Sequence, residues 1–531
     1  MLLNLANQEA EDRDRTKLAI FCGTATLSVI AVTIAFYHKA ILLYGDTLSH
    51  MEIARRADSM LATSPINAPG QLGAVWLPLP HVLMLPLVWD NTLYQNGLAG
   101  SIVSMVAFVA TVILVYGIGY QLTGQKLAGV VSAAVFGLNA NMLYMQSTPM
   151  TESLLFCLLA AMTFFVLKWA DTDKVIYLVY GALAALLATL TRYESWVVLL
   201  CLSGSVVCIA WTKRQGLSKK LHRRRVLDRI IVGGFIGFAG IIFWLCWNLI
   251  FFGNPLYFQT GPYAKPALWL SSHEPAIGHL LVAFKTYWYA VKDNVGWPIL
   301  LLAAAGLIAL IAVEWWKNHN VTRTLPVLSL LVIFPFFVYS IYKGERPLHI
   351  TPLEADLYNV RFGLIMLLPA AILVGYLVGA LQRHPAIMNM ASGLVLVSVI
   401  GVSAIMFSQS GPITYREARG SQSPVEAQVA DAFQKYYTGG MVLMQSFGNE
   451  GIAFKIPVTA LIYEGSYQKW GPALRSPSTS HITWIVDRCG SDPDLVCTTV
   501  NQGEFARYNK VWQTSDGTYR IYRLDSNRRQ I

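Results

Sequence analysis

Residues 18–37 of the chain read LAIFCGTATLSVIAVTIAFY, a run of twenty residues without a charged side chain. A helix of about 20 mostly apolar residues crosses the roughly 30 Å hydrocarbon core of a bilayer. The run is longer than the core of a signal peptide, and it has no clear small-residue cleavage site. We interpret it as a retained first transmembrane helix.

The composition of the whole chain is typical of a membrane protein. Of its 531 residues, 55% are hydrophobic and only 13% are charged, and the mean hydropathy is +0.47. Soluble domains carry about 25% charged residues, whereas lipid disfavours ionised side chains. The sequence therefore predicts an α-helical polytopic membrane protein with about eleven spans. Their centres lie near Ser28, Met105, Ala134, Leu158, Ala184, Leu202, Gly240, Ala305, Val332, Leu368 and Val397.

Basic residues predict how the chain is oriented. Arg13, Arg15 and Lys17 precede the first span, and a basic block occupies residues 213–229. Lys and Arg are enriched in cytoplasmic connectors, so we expect residues 1–16 to be cytoplasmic. Residues 17–410 then form the transmembrane domain, with a long first outer loop over residues 38–96. We attribute the net charge of +10 to basic residues that orient the chain in the membrane, and not to nucleic-acid binding. The expected membrane is a prokaryotic plasma membrane.

The tail, residues 423–531, predicts a small extracytoplasmic α/β domain. An amphipathic helical pattern begins it, and the last two strand-like runs flank a hairpin turn signal, Ser515-Asp516-Gly517. Cys489 and Cys497 lie in this tail without a CxxC pair, so a disulfide is expected if the tail is outside the cytoplasm. The patterned segments are Val425–Tyr437 for the helix and Met441–Gln445, Ile482–Asp487, Val511–Thr514 and Thr518–Leu524 for the strands.

Polar residues of chemical interest follow the first span. Asp46 comes soon after it, where a carboxylate could take a proton from an acceptor hydroxyl. Asp46 could also hold a divalent metal ion with His50 or Glu52. The structural alternative is a helix N-cap, because Gly-Asp before a helical pattern is a common start signal.

Further charged residues lie at the outer ends of later spans. Glu152, Arg192 and Glu194 begin or end predicted spans, and a local ion pair is as good an account of them as a site role. Arg361, which follows Tyr358 into the tenth span, could bind a phosphate with two parallel hydrogen bonds. It could equally anchor its helix among the lipid headgroups.

The order of these segments resembles that of the GT-C membrane glycosyltransferases over about residues 17–410. The chain is similar to dolichyl-phosphate-mannose protein mannosyltransferases and to aminoarabinose lipid A transferases. The motifs that carry the resemblance are Asp46, Trp76-Leu77-Pro78-Leu79-Pro80-His81, Thr151-Glu152, Thr191-Arg192-Tyr193-Glu194, Gly253-Asn254-Pro255-Leu256-Tyr257, Asn359-Val360-Arg361-Phe362-Gly363 and Leu367-Leu368-Pro369.

The resemblance implies an enzyme that moves a sugar from a polyprenyl-phosphate donor to an acceptor on the outer face, with inversion. Asp46 matches the catalytic base, Glu152 a second acidic site residue, and Arg361 the arginine that contacts the lipid phosphate. The acceptor is a protein, a lipid or a glycan, and a divalent metal ion is the one cofactor expected. The further substrate-binding candidates are His50, Glu52, His81, Arg192, Glu194 and Tyr358.

Two departures from these families concern the acceptor and the metal. Thr47 follows Asp46 where protein mannosyltransferases have an adjacent Asp-Glu pair, and Val75-Trp76 stands where the aminoarabinose transferases have a lysine. Alternative functions are a flippase or a ligase of lipid-linked glycans, or a scaffold that displays the tail. A transporter should have intramembrane charges and internal repeats, and the sequence indicates neither.

Overall fold

The computed structural model describes residues 2–57, 68–213, 218–266, 274–318, 320–381, 385–408 and 410–525. Residues 214–217 of the predicted basic block and the last six residues of the predicted tail domain lie outside the described residues. The first twelve α-helices are α1 (Leu2–Tyr37), α2 (Gly45–Ala57), α3 (Leu79–Val88), α4 (Asn91–Gln95), α5 (Leu98–Thr123), α6 (Lys126–Gly137), α7 (Ala140–Met145), α8 (Glu152–Thr172), α9 (Val175–Thr189), α10 (Glu194–Thr212), α11 (Lys219–Phe252) and α12 (Tyr257–Thr260).

The second half of the chain is helical up to the tail, where strands appear. Its α-helices are α13 (Leu280–Val295), α14 (Trp297–Ile311), α15 (Leu325–Leu328), α16 (Ile333–Tyr342), α17 (Leu367–Ala380), α18 (Pro385–Ser408), α19 (Ile413–Gly420), α20 (Pro424–Tyr436), α21 (Glu450–Ala453), α22 (Tyr467–Arg475), α23 (Leu495–Thr499) and α24 (Gln502–Phe505). The strands are β1 (Met441–Leu443), β2 (Leu461–Ile462), β3 (Ile482–Arg488), β4 (Tyr508–Gln513) and β5 (Tyr519–Leu524). Short 3-10 helices cover Ala68–Leu72, Pro262–Ala264, Val321–Arg323, Ser329–Val332, Val360–Met366 and Glu464–Ser466, and a π-helical turn covers Ala312–Lys317.

Nine helical segments of the described residues are long and apolar enough to cross a membrane. They are Arg15–Tyr37, Leu98–Thr123, Glu152–Thr172, Glu194–Thr212, Lys219–Phe252, Trp297–Lys317, Val321–Tyr342, Val360–Ala380 and Ala386–Gly420. All eleven predicted centres lie in helical segments, but Ala134 and Ala184 lie in helices of 12 and 15 residues. The run around Ala134 is divided because Asn139 caps a new helix, α7, by accepting a hydrogen bond from the backbone of Met142.

The chain forms two compact units. Unit 1 contains Met1–Ile41, Ala74–Pro80 and Ser101–Gly420, and unit 2 contains Leu42–Gly73, His81–Gly100 and Ser421–Ile531. The sequence predicted that residues 38–96 belong with the transmembrane domain, whereas most of this loop folds with the tail. The reason is apolar and charged contact within unit 2, such as the stacking of Tyr94 on Phe454 with ring centroids 4.8 Å apart.

Close helix packing builds unit 1. The segment Val360–Ala380 is the most deeply buried of the nine, with 94% of its most apolar stretch covered by neighbouring parts of the chain. A Cβ atom at Gly306 of α14 would collide with the Leu373 carbonyl of α17, and one at Gly375 of α17 would collide with Ser132 of α6. Glycine at these points lets the helix backbones approach closely, as in other membrane helix bundles.

The sheet of unit 2 has five strands in the order β2-β1-β3-β5-β4. Strand β1 is parallel to β2 and β3, whereas β5 is antiparallel to β3 and β4. Trp484 and Ile521 are buried on one face beneath Phe433 of α20, and Ile485 is buried on the other face with Trp470. The predicted α-helical membrane fold with a small C-terminal α/β domain is therefore confirmed.

Candidate active site

Six charged side chains of unit 1 form one continuous series of ion pairs, the ion-pair chain. The Arg192 guanidinium contacts Glu152 at 2.9 Å and Glu194 at 3.0 Å. Cations and anions alternate, so their formal charges cancel and each buried charge has a partner. In spatial order the chain runs Arg346, Glu194, Arg192, Glu152, Arg361 and Glu417.

The fold places the two central carboxylates at helix N-termini. Glu152 is the first residue of α8 and Glu194 is the first residue of α10. The positive end of a helix dipole favours a carboxylate there. The Oε1 atom of Glu152 accepts a hydrogen bond from Arg192. The Oε2 atom of Glu152 is buried and makes no hydrogen bond within the described part of the chain. A buried acceptor without a donor is unusual, and it marks Glu152 as a side chain that could bind a substrate group.

The segment that carries Arg361 is fixed by hydrogen bonds to its backbone. Asn294 donates to the Val360 carbonyl at 2.7 Å, and the Tyr287 hydroxyl donates to the Phe362 carbonyl at 3.2 Å. A Cβ atom at Gly363 would collide with the backbone of Ala290 in α13. Glycine is therefore required for this close approach, which holds the Arg361 side chain at the entry to α17.

Three arginines surround the ring of Phe362. The guanidinium carbons of Arg192, Arg346 and Arg361 lie 5.5, 5.8 and 5.4 Å from its centroid. The Arg346 side chain is 22% exposed and pairs with Glu194 at 3.4 Å, whereas the Arg361 side chain is 7% exposed. Guanidinium groups bind phosphate oxygens with two parallel hydrogen bonds, and Arg346, the most exposed of the three, is the one most accessible to such a ligand.

The sequence analysis singled out four members of the ion-pair chain, namely Glu152, Arg192, Glu194 and Arg361. It did not single out Arg346 or Glu417. Arg346 lies in the loop after α16, and Glu417 lies in α19, where Glu417 accepts from Arg361 at 2.8 Å. An isolated charge in a polar connector has no periodic signal, although an acidic residue just after a predicted span was available as a clue.

Asp46 lies in the first turn of α2, in unit 2. The preceding Gly45 packs against Glu450 of α21, whose Oε2 would lie 3.8 Å from a Cβ atom on that glycine. Burial raises the pKa of Glu450 to about 8. Hydrogen bonds to its carboxylate oppose this shift, and the charges of Glu426 and Asp46 add to it. The tail thus contributes a carboxyl group beside Asp46 that the sequence did not indicate.

His50, Glu52 and His81 lie in the interior of unit 2. The Nδ1 atom of His50 and the Nε2 atom of His81 share a hydrogen bond of 2.8 Å. Burial, together with the neighbouring His50, holds the pKa of His81 well below its usual range. Glu52 receives a hydrogen bond from Arg56 at 2.7 Å and a longer one from Ser446 at 3.4 Å. Each of these three side chains therefore has a partner within unit 2.

The ligands predicted for a metal ion do not converge. Among the described residues, one group of three ligand atoms lies within 4.8 Å, formed by Asp487, Cys489 and Cys497. The two cysteines of that group are joined in a disulfide with Cα atoms 5.6 Å apart. Asp46, His50 and Glu52 do not form such a group, because Glu52 pairs with Arg56 and His50 with His81.

Tyr358 lies beside a histidine, His349. Its backbone pairs with that of His349, and the two rings are 5.7 Å apart. The His349 ring bridges two carboxylates, with Nδ1 2.9 Å from Asp356 and Nε2 3.1 Å from Glu274. This histidine joins the connector 343–359, which contains Arg346, to the connector between α12 and α13.

No protein-family model matches the chain, and no curated protein matches it by sequence. Solved structures do match it. ArnT from Cupriavidus metallidurans in the apo state has a TM-score of 0.55 at 13% identity, over 94% of this chain and 98% of ArnT. The same protein bound to undecaprenyl phosphate has a TM-score of 0.54 at 12% identity, over 95% and 98%. The Archaeoglobus fulgidus oligosaccharyltransferase in complex with Zn and sulfate has a TM-score of 0.51 at 10% identity, over 95% of this chain and 73% of that protein.

The chain has the GT-C fold. ArnT and the oligosaccharyltransferase are both membrane glycosyltransferases of this superfamily, which confirms the fold that the sequence motifs indicated. At these identities the likeness concerns the backbone, so the roles of individual side chains rest on the contacts described above.

Proposed function

We propose that this protein is a membrane glycosyltransferase that moves a sugar from a polyprenyl-phosphate donor to an acceptor, with inversion at the sugar carbon. The observation that carries the proposal is the group of three arginines around Phe362, within a GT-C fold. A polyprenyl chain is apolar and its phosphate is anionic, which suits arginines at the ends of membrane helices. The undecaprenyl phosphate bound to the structurally similar ArnT supports the same donor class.

The proposed reaction is a single displacement. Asp46 accepts the proton of the acceptor hydroxyl, and the acceptor oxygen forms a bond to the anomeric carbon of the sugar. The bond from that carbon to the phosphate oxygen breaks, and its electron pair stays on the polyprenyl phosphate that leaves. Arg361 and Arg346 stabilise the negative charge that develops on the phosphate. Glu152 offers its unbonded Oε2 to a hydroxyl of the substrate.

A divalent metal ion is a further element that the similarity supports, since the oligosaccharyltransferase structure contains Zn. The set Asp46, His50 and Glu52 does not fit such an ion, because Glu52 and His50 are already paired within unit 2. We therefore assign no step of the reaction to a metal.

We propose the orientation in which residues 1–16 are cytoplasmic and the arginine group and the tail are extracytoplasmic. The basic run Lys219, Lys220, Arg223, Arg224 and Arg225 at the start of α11 supports it, because cytoplasmic connectors are rich in Lys and Arg. The arginine group lies at the opposite helix ends, those at which α8 and α10 begin.

The test is sugar transfer from a panel of radiolabelled polyprenyl-phosphate sugars in membranes that contain the protein. We expect transfer by the wild type and a loss of at least about 100-fold with Asp46→Asn, which removes the base. Arg361→Gln should lower transfer by about 100-fold as well, because it removes a charge that stabilises the leaving phosphate.

Two matched controls are available on exposed surfaces. Asp431→Asn in α20 and Arg419→Gln in α19 change the same residue types at exposed positions and should retain wild-type transfer. Equal transfer by Asp46→Asn and wild type would remove Asp46 from the mechanism. Movement of the labelled lipid across the bilayer without transfer to any acceptor would favour the flippase alternative.

A further inference from the structure

A cavity of about 120 Å³ lies within unit 1, between α8, α9, α10 and α11. Its walls are apolar side chains and glycines, including Val166, Leu178, Leu199 and Phe238. A cavity of this kind loses dispersion contacts on its walls unless something apolar fills it. Within a membrane domain, the available filling is hydrocarbon.

The cavity lies along the middle of α10 and α11 and includes no residue of the arginine group. Leu178 is in the first turn of α9, and Val166 and Val206 are in the last two turns of α8 and α10. The arginine group instead contacts Glu152 and Glu194, which begin α8 and α10. The cavity is therefore separate from the proposed donor site.

One charged residue lines the cavity. Arg229 of α11 reaches it; the residue is half-buried, and its Nε atom is buried and has no hydrogen-bond partner among the described residues. Arg229 makes no ion pair within the described part of the chain, whereas its neighbour one turn earlier, Arg225, pairs with Asp173. A guanidinium group with a buried, unused donor at the rim of an apolar cavity can take an anion from outside the chain as its partner.

The surroundings of Arg229 attract anionic lipid. The first two turns of α11 contain four exposed basic residues, Lys219, Lys220, Arg223 and Arg224. Basic clusters next to a membrane helix attract anionic headgroups, and basic pockets between membrane helices bind them. Simple extension of Arg229 toward water would account for its charge, but it accounts for neither the buried Nε nor the apolar cavity beside it.

We propose that this cavity binds one anionic phospholipid, with an acyl chain among the apolar side chains and the phosphate on Arg229. The lipid belongs to the leaflet at the basic end of α11. The site is distinct from the donor site, so its occupancy can be measured without sugar transfer.

The experiment is native mass spectrometry of the full-length protein titrated with phosphatidylglycerol or with phosphatidylcholine. The wild type should bind one phosphatidylglycerol at least about tenfold more tightly than phosphatidylcholine, as expected for a charge-assisted contact. Arg229→Gln should remove this preference. Gly234→Leu should weaken both lipids by filling the cavity, and it is a mild change because a Cβ atom at Gly234 meets nothing within 4 Å.

Arg224→Gln is the matched control, since it removes an exposed charge from the same helix. It should leave the preference for phosphatidylglycerol within about twofold of the wild type, because an exposed charge contributes little. Equal losses in Arg229→Gln and Arg224→Gln would overturn the proposal in favour of diffuse attraction by the basic run. Unchanged binding in both Arg229→Gln and Gly234→Leu would also overturn it.

Discussion

At the scale of single residues, the arginines around Phe362 differ in how firmly they are held. Arg192 donates to Glu152, Glu194 and Thr151 and is mostly buried, whereas Arg346 has one ion pair at 3.4 Å. Removing one partner of a buried pair costs about 3–5 kcal/mol, so Arg192→Gln should lower the thermal stability of the purified protein markedly. Arg346→Gln should barely change stability but should raise the KM for the lipid donor by about tenfold.

The conservative variant separates these roles. Arg346→Lys should recover part of the donor affinity, because it restores a cation without the planar fork. Thermal unfolding in detergent and donor KM should be measured on the same preparations. A large loss of stability in Arg346→Gln with an unchanged donor KM would show that Arg346 is structural and would contradict this division of roles.

At the scale of elements, His349 joins two connectors of unit 1. Hydrogen bonds and charges from Asp356 and Glu274 outweigh its burial and raise the pKa of His349 above its ordinary value of about 6.5. A histidine whose pKa is raised by folding contributes stability at pH below about 6.5, and that contribution is lost as the pH rises through the raised pKa. Amide hydrogen exchange in residues 343–359, corrected for its intrinsic pH dependence, should therefore be slower at pH 6 than at pH 8.

The histidine itself provides the test of this interpretation. His349→Gln should abolish the difference between the two pH values, while His279→Gln, an exposed position in the same region, should keep it. The same pH dependence in His349→Gln would assign the titration to another group. The groups that face His349 in the structure are Asp356, Glu274 and Tyr358.

The contact between α21 and the start of α2 leads to a second prediction about pH. Because folding raises the pKa of Glu450 to about 8, the folded state holds a proton that the unfolded chain releases above its usual pKa. Stability from this group is present below about pH 4.3 and is lost as the pH rises toward 8. Glu450→Gln keeps an acceptor for the Gly448 amide and should be more stable than the wild type at pH 8.5.

One pKa unit corresponds to about 1.4 kcal/mol, so we expect a gain of about 1 kcal/mol or more in Glu450→Gln at pH 8.5. The gain should shrink steadily toward pH 5, as measured by thermal unfolding across the range. A stability difference that does not change with pH would mean that the carboxyl does not titrate in this interval.

At the scale of the whole molecule, apolar run length predicted the membrane fold, and every predicted span centre lies in a helical segment. The alternating patterns of the tail predicted four of the five strands, but β2 has only two residues, too few for a periodic signal. The single charges that complete the ion-pair chain, Arg346 and Glu417, were not predicted. Their importance depends on which helix ends meet in space, and run length carries no such information.

The grouping of the first outer loop with the tail was also not predicted, because it depends on contacts between residues about 400 positions apart in the sequence. Arg56 of α2 lies over the ring of Tyr463 with its guanidinium carbon 3.4 Å from the centroid, and it also pairs with the buried Glu52. Glu52 in turn accepts from Ser446 of the tail. Unit 2 is therefore one folded body built from two distant parts of the chain, with a buried ion pair at their junction.

A double-mutant cycle on Glu52 and Arg56 tests this junction. Each single variant, Glu52→Gln and Arg56→Gln, leaves one buried charge unpaired and should lower stability by about 3 kcal/mol. The double variant should be less destabilised than the sum by at least about 1 kcal/mol, because it leaves no unpaired charge. The rate at which a protease cleaves the tail should rise with the loss of stability in each variant, since the tail loses its packing on α2 when the pair is broken. Additive effects would show that the two side chains act independently, and that apolar contacts such as Tyr94 on Phe454 hold the junction without them.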